Sequence, residues 1–236
     1  MTRLGVLTIG QAPRPDLTPE LTALLPEAVV VERGVLDGLT RAEIEARPVA
    51  PGDHALTTRL ADGGSVVLGE SLVMARLPGV LAELEREVDA VLLACTGAFP
   101  DLPHTRPLFV PDRLIAFGAA ALVGAGGTVG VVCPLPEQRA DTEAKFGRRL
   151  PSGARVVTDV CSPYTGTPDD LAAAARRLAE SGADLLALDC IGYTEDMRAR
   201  AAAASGLPVV LARSVCARLA AEVLDSLKAA RERGAA

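Results

Sequence analysis

"DAVLLACTGAFP" (residues 89–100) and "ADLLALDCIGYTED" (residues 183–196) are two versions of one phrase. Each opens on a short apolar run, reaches a cysteine, and meets a glycine two residues later. Such a run, bounded by glycine, fits a parallel strand buried on both faces. The likeness extends outward. "PLFVPDRLIAFGAAALV" from Pro107 matches "PVVLARSVCARLAAEVL" from Pro208 in apolar pattern without a gap. Upstream, "LGVLTIGQAPR" from Leu4 matches "VGVVCPLPEQR" from Val129. Strand, helix, strand, helix, strand-Cys, strand, helix is therefore written twice in 236 residues.

The intervening signals agree. Thr40 caps a short helix that Pro48 stops, Asp62-Gly63-Gly64 marks a β-hairpin, and a helix is broken near Pro78-Gly79. Gly182 ends the helix of "DDLAAAARRLAESG". The alternation predicts an α/β fold with parallel sheets, and the duplication reads as two pseudo-symmetric lobes. The first copy alone carries an insertion, a helix and hairpin at about 35–71. A lone hairpin is marginal in water, so it must pack, as a lid or, preferred here, as the interface of a homodimer.

Apolar residues make up 49% of the chain and the formal net charge is −6. An acidic chain has no electrostatic case for nucleic acid or an anionic membrane surface. No run reaches the roughly 18 apolar residues of a membrane span, and the N-terminus shows no secretory signal, so a cytoplasmic protein is expected. The five cysteines form no C-x-x-C pair, and only His54 and His104 could join them on a metal, so neither zinc nor a disulfide framework is expected. "GAGGTVG" (residues 124–130) precedes a strand instead of following one; it reads as a helix-to-strand turn, not a dinucleotide loop.

Ligands of open parallel sheets sit outside the carboxyl ends of the strands, where Cys95 and Cys190 both fall. Lobes facing each other would bring the two thiols to one cleft. A substrate carbon between them could lose a proton to one and gain a proton from the other, with no cofactor. One thiol must then be a thiolate, against a free-cysteine pKa of about 8.5. The carbanion needs donors, which backbone N–H groups after each cysteine can supply. Gly97 and Gly192 admit close backbone approach there, and Thr96 and Tyr193 offer hydroxyls. Gly10, Gln11 and Arg14 follow the first strand, and Arg14 could clamp a carboxylate with both arms of its guanidinium. His104 could help ionise Cys95. Cys133 and Cys161 are lesser pocket candidates, while Cys216 reads as helix packing and His54 as hairpin surface.

The doubled strand-Cys pattern resembles the aspartate/glutamate racemase superfamily, which includes hydantoin racemases, maleate isomerases and arylmalonate decarboxylases. "LTIGQAPRPD", "GVLDGLTRAEI" and "LDCIGY" are similar to the AroM family, over nearly the whole chain. The resemblance implies a two-lobed fold with the C-terminal strand and helix returning to the first lobe, the first lobe then spanning 1–112 plus 207–236 and the second 113–206. It also implies a cofactor-independent racemase- or isomerase-like enzyme acting on a small carboxylate. In it Cys95 and Cys190 match the two catalytic cysteines, and Cys133-Pro134 matches a Thr-Pro that lines the site in several members. Gln11 stands where glutamate racemases carry an acidic-Ser pair, and "Cys190-Ile191-Gly192-Tyr193" lacks their histidine after the second cysteine. Those departures leave open a single-cysteine decarboxylase, a cis–trans isomerase, or a binding protein on the same fold.

Overall fold

The computed structural model describes residues 1–234 and divides into two compact units, 1–110 with 216 onward, and 111–215. In the first unit the order is β1 (Thr2–Thr8), α1 (Thr18–Leu24), β2 (Ala28–Gly34), α2 (Arg41–Glu45), β3 (Ala55–Arg59), β4 (Ser65–Gly69), α3 (Glu70–Met74), α4 (Leu77–Leu84), β5 (Ala90–Ala94) and β6 (Leu108–Phe109). The second runs α5 (Pro111–Leu122), β7 (Thr128–Cys133), α6 (Arg139–Gly147), β8 (Arg155–Val160), α7 (Pro168–Glu180), β9 (Leu185–Leu188), α8 (Glu195–Ser205) and β10 (Val209–Leu211). A last helix, α9 (Ala212–Gly234), follows.

The two sheets repeat each other strand for strand. The first is ordered β2-β1-β5-β6 and the second, read the same way, β8-β7-β9-β10. Their registers coincide with the sequence alignment. Leu4 lies opposite Ala90 as Val129 lies opposite Leu185, and Leu108 opposite Val91 as Val209 lies opposite Leu186. Two aspartates repeat as well. The Asp89 carboxylate accepts the Arg3 amide, and the Asp184 carboxylate accepts the Thr128 amide, both at 2.8 Å. Gly5 and Gly130 take equivalent places. A Cβ on either would come within 2.8 Å of Leu84 or 2.7 Å of Leu186, so glycine is what lets apolar side chains close directly over each first strand.

The helix after each fourth strand is credited to the other unit. α5 follows β6 yet packs against α6, β9 and β10, with Asp112 3.8 Å from Arg149 and Phe117 under the Arg149 guanidinium. α9 follows β10 yet from Cys216 on belongs to the first unit, where Lys228 pairs with Glu27 and Arg231 with Asp89. The C-terminal return is thus made by the helix. β10, expected to return with it, pairs with β9, which moves the boundary from 206/207 to 215/216.

The insertion forms as expected. Thr40 caps α2 in a full capping box with Glu43. β3 and β4 pair antiparallel, Thr57 opposite Val67. The helix break lies between α3 and α4, one turn ahead of the position read from the sequence, because Pro78 is seated in the first turn of α4, where no donor is lost. The hairpin finds its cover within its own unit: Leu56, Leu60, Val66 and Leu68 join the core cluster of Leu7, Ile9, Leu36 and Cys95. Burying its inner face therefore requires no second chain.

Candidate functional site

Both cysteines of the repeated phrase stand just past the carboxyl ends of corresponding strands, Cys95 after β5 and Cys190 after β9. Each is nearly buried, at 8% and 5% exposure. The Gly97 amide donates to Cys95 Sγ at 3.3 Å, and the Gly192 amide donates to Cys190 Sγ at 3.4 Å. An N–H aimed at sulfur suits an anionic acceptor. Each glycine is also overlaid. A Cβ on Gly97 would come within 2.8 Å of Leu56 Cδ2, and one on Gly192 within 2.6 Å of the Tyr164 ring. Glycine at these two places is required by close approach; neither has a positive φ.

Other predicted residues are turned to internal work in the first unit. Arg14 is 1% exposed. Its Nε and Nη2 fork onto the Asp16 carboxylate at 2.8 Å each, and Nη1 donates to Thr8 Oγ1 at 2.8 Å. Its guanidinium braces the loop after β1. Burial works to raise the Asp16 pKa, but the fork and charge of Arg14, with Arg59, bring it below the usual value. Gln11 is likewise committed. Its Nε2 donates to Leu39 O at 2.7 Å and its Oε1 accepts the Ala61 amide at 3.0 Å, tying the β1 loop to the hairpin turn. Gly10 lies under that hairpin: a Cβ there would be 2.1 Å from Arg59 O. Thr96 is buried between Cys95 and Gly97. His104 is exposed and its Nδ1 lies 2.8 Å from Leu102 O.

The second unit shows the same pattern. Tyr193 is fully buried and its hydroxyl donates to the Cys161 carbonyl. Burial, with the sulfurs of Cys190, Cys161 and Cys133 and the Asp189 carboxylate around it, pushes the phenol well above its ordinary pKa. It is a neutral strut for the Cys161 loop, not an open donor. Cys133 has no exposure; its thiol donates toward Asp159 O at 3.5 Å and Leu135 O at 3.6 Å. Burial and then the Asp189 charge raise its pKa to about 11, so it stays a thiol. Cys216 is buried in α9, as expected.

Sequence reasoning named Pro134 and Cys161 as pocket candidates but passed over the residues that join them in one cavity, the Asp189–Lys145 pair and the cover over Gly192. Pro134, Cys161, Ser162, Thr165, Gly166 and Arg177 are among the lining of a cavity of about 400 Å³ beyond β7 and β8, and burial raises the Cys161 pKa. Immediately before Cys190, Asp189 forms a buried ion pair with Lys145 at 2.5 Å, where the first copy has Ala94. Finally Tyr164 covers Gly192. Composition held one signal for this: of only two tyrosines in the chain, Tyr193 and Tyr164, one neighbours Gly192 in sequence and the other in space.

Among the described residues no group of three or more His, Cys, Asp or Glu side chains could hold a metal ion, and no helix is long and apolar enough to cross a membrane. The family model described as AroM protein matches residues 4–224. A search of curated proteins gives no match. Solved structures similar to the chain include an unliganded arylmalonate decarboxylase (12% identity, TM-score 0.58, covering 95% of this chain and 92% of that one). A glutamate racemase, isoform RacE1 from Bacillus anthracis, aligns at 15% identity and TM-score 0.57 over 95% of this chain and 82% of its own. The maleate isomerase Iso from Pseudomonas putida S16 aligns at 14% identity and TM-score 0.54 over 95% and 93%. At these identities the likeness establishes the fold.

Proposed function

We propose, on the premise that this chain belongs to the AroM family, that it is a cofactor-independent enzyme of racemase or isomerase type acting on a small carboxylate. Cys95 and Cys190 are the acid/base pair of this reading. One sulfur, as thiolate, takes the proton from the carbon beside the carboxylate, leaving its electron pair in an enolate. The other, as thiol, returns a proton to that carbon and becomes the thiolate. Atoms and charge balance, and the resting state is restored by the reverse turnover or by exchange with water. The amides that donate to sulfur favour the charged form of whichever cysteine acts as base.

One observation carries the proposal. The only two cysteines that occupy equivalent positions in the two copies share strand end, burial and the glycine amide at 3.3 and 3.4 Å. Packing alone gives no reason for a repeat to keep a polar sulfur and its donor twice. The three neighbours above are described as a decarboxylase, a racemase and an isomerase. Those descriptions support the reaction type without choosing the reaction.

The test is exchange in deuterium oxide with a panel of chiral α-substituted carboxylates, aryl-substituted malonates and maleate. Deuterium entering at the α-carbon, with carbon dioxide retained and configuration lost, is the expected result. Abolition by either Cys95→Ala or Cys190→Ala is expected with it. Carbon dioxide release that needs only Cys190 would replace this reading with a single-cysteine decarboxylase.

A further inference from the structure

The β3–β4 hairpin has no counterpart in the second unit, where β8 passes directly to α7. It reaches over both carboxyl-end loops of its own sheet. Arg59 O accepts the Gln11 amide at 3.2 Å, and the same oxygen occupies the place a Gly10 side chain would need. Leu56 Cδ2 lies against the Gly97 α-carbon, beside Phe99 and within the core cluster that includes Cys95. The hairpin is also fastened at its tip and base. Arg41 of α2 forks onto Asp62, the Gln11 side chain accepts the Ala61 amide, and Asp53 accepts the Ser71 hydroxyl at 2.6 Å.

We infer that this hairpin is the specificity element of the first unit: it roofs Cys95, and Leu56 sets the size and apolar character of the group that can approach the sulfur. The ligand chemistry that fits is a small apolar substituent. Leu56 and Phe99 flank the approach beside Gly97, and the charged side chains of the adjoining β1 loop, Arg14 and Asp16, are engaged with each other. A bulky or charged group would have to displace packed apolar side chains or leave its own charge without a partner. The inference rests on the proposed role of Cys95 only in calling that group part of a substrate. The roof itself is tested without turnover.

The experiment alkylates the full chain with iodoacetamide and with bulkier 2-iodo-N-phenylacetamide, reading the rate at each cysteine by peptide mass spectrometry. The thiolate displaces iodide in both cases, so the two reagents differ in size alone at the reacting atom. Wild-type Cys95 is expected to discriminate strongly against the bulky reagent. Leu56→Ala should speed the bulky reagent at Cys95 about tenfold, as the fraction of chain open to it grows, and leave Cys190 unchanged. Arg41→Ala, which unfastens the tip and removes an exposed pair with Glu45, should act in the same sense and more weakly; it decides the question if Leu56→Ala does not fold. Unchanged rates at Cys95, or equal acceleration at Cys95 and Cys190, would overturn the inference. Loss of the roof with no carboxylate turned over by wild type would instead leave the inference standing and remove the proposed activity.

Discussion

The Gly192 amide donates to Cys190 Sγ across 3.4 Å while the Tyr164 ring fills the space a Gly192 side chain would occupy. Gly192→Ala should therefore push the half-buried ring aside at a cost of about 1 kcal/mol. Gly10→Ala faces a backbone oxygen 2.1 Å away and cannot be relieved by a side-chain rotation. Its expected cost is larger, about 3 kcal/mol, because the hairpin itself must move. Urea unfolding of both variants gives the comparison, and equal midpoints would contradict it.

The Lys145–Asp189 pair is buried from both ends. Removing one partner strands a charge, so Lys145→Met should cost about 3–5 kcal/mol. Adding Asp189→Leu should recover much of that loss, since both charges then leave the interior together. The double-mutant cycle measures the coupling directly. A double variant as unstable as the single one would show that Asp189 is needed for other bonds at the strand end.

Two carboxyl groups give opposite pH signatures. Burial raises the Asp112 pKa above 3.8, outweighing Lys145 and Arg149, so the folded state binds its proton more tightly than the unfolded chain. That contribution is present below pH 3.8 and is lost as pH rises through the folded value. Asp16 is shifted down, so its contribution is present above 3.8 and lost as pH falls through its lower folded value. Asp112→Asn should flatten the decline of stability just above pH 3.8, and Asp16→Asn should flatten the acid limb below it. Unfolding free energies measured from pH 2 to 7 test both signs.

Cys133, with a pKa raised to about 11 and no exposure, should resist iodoacetamide at neutral pH in the native protein. Labelling as fast as that of Cys190 would show that the strand end opens readily.

Much of this architecture was legible because it rests on pattern. The paired phrases around Cys95 and Cys190 marked the strand positions, and the alignment of Leu4 with Val129 agrees with the register of β1 on β5 and of β7 on β9. Capping at Thr40 and the Asp62-Gly63-Gly64 turn follow from local chemistry, so they too could be read. The roles of polar side chains could not. Arg14, Gln11 and Tyr193 all stand where a ligand could be met, yet each is satisfied by a partner whose position depends on the tertiary fold: Asp16 and Thr8, the hairpin turn, and the Cys161 carbonyl. The same holds for Lys145, 44 residues from Asp189 in sequence. β10 was assigned to the wrong sheet for a different reason. The resemblance sent it back to the first lobe with α9, whereas its match to β6 points to the neighbour it has, and its pairing with β9 settles that.

The reciprocal placement of α5 and α9 has a consequence for dissection of the chain. Severing it after Val123, at the end of the first copy, deprives each fragment of a helix encoded in the other, so neither is an autonomous folding module, and successful reconstitution would demand both pieces at once. A half-length forebear with this topology would have been complete only as a helix-exchanged couple lending one another their last helices, and fusion of two such copies in tandem makes that loan permanent.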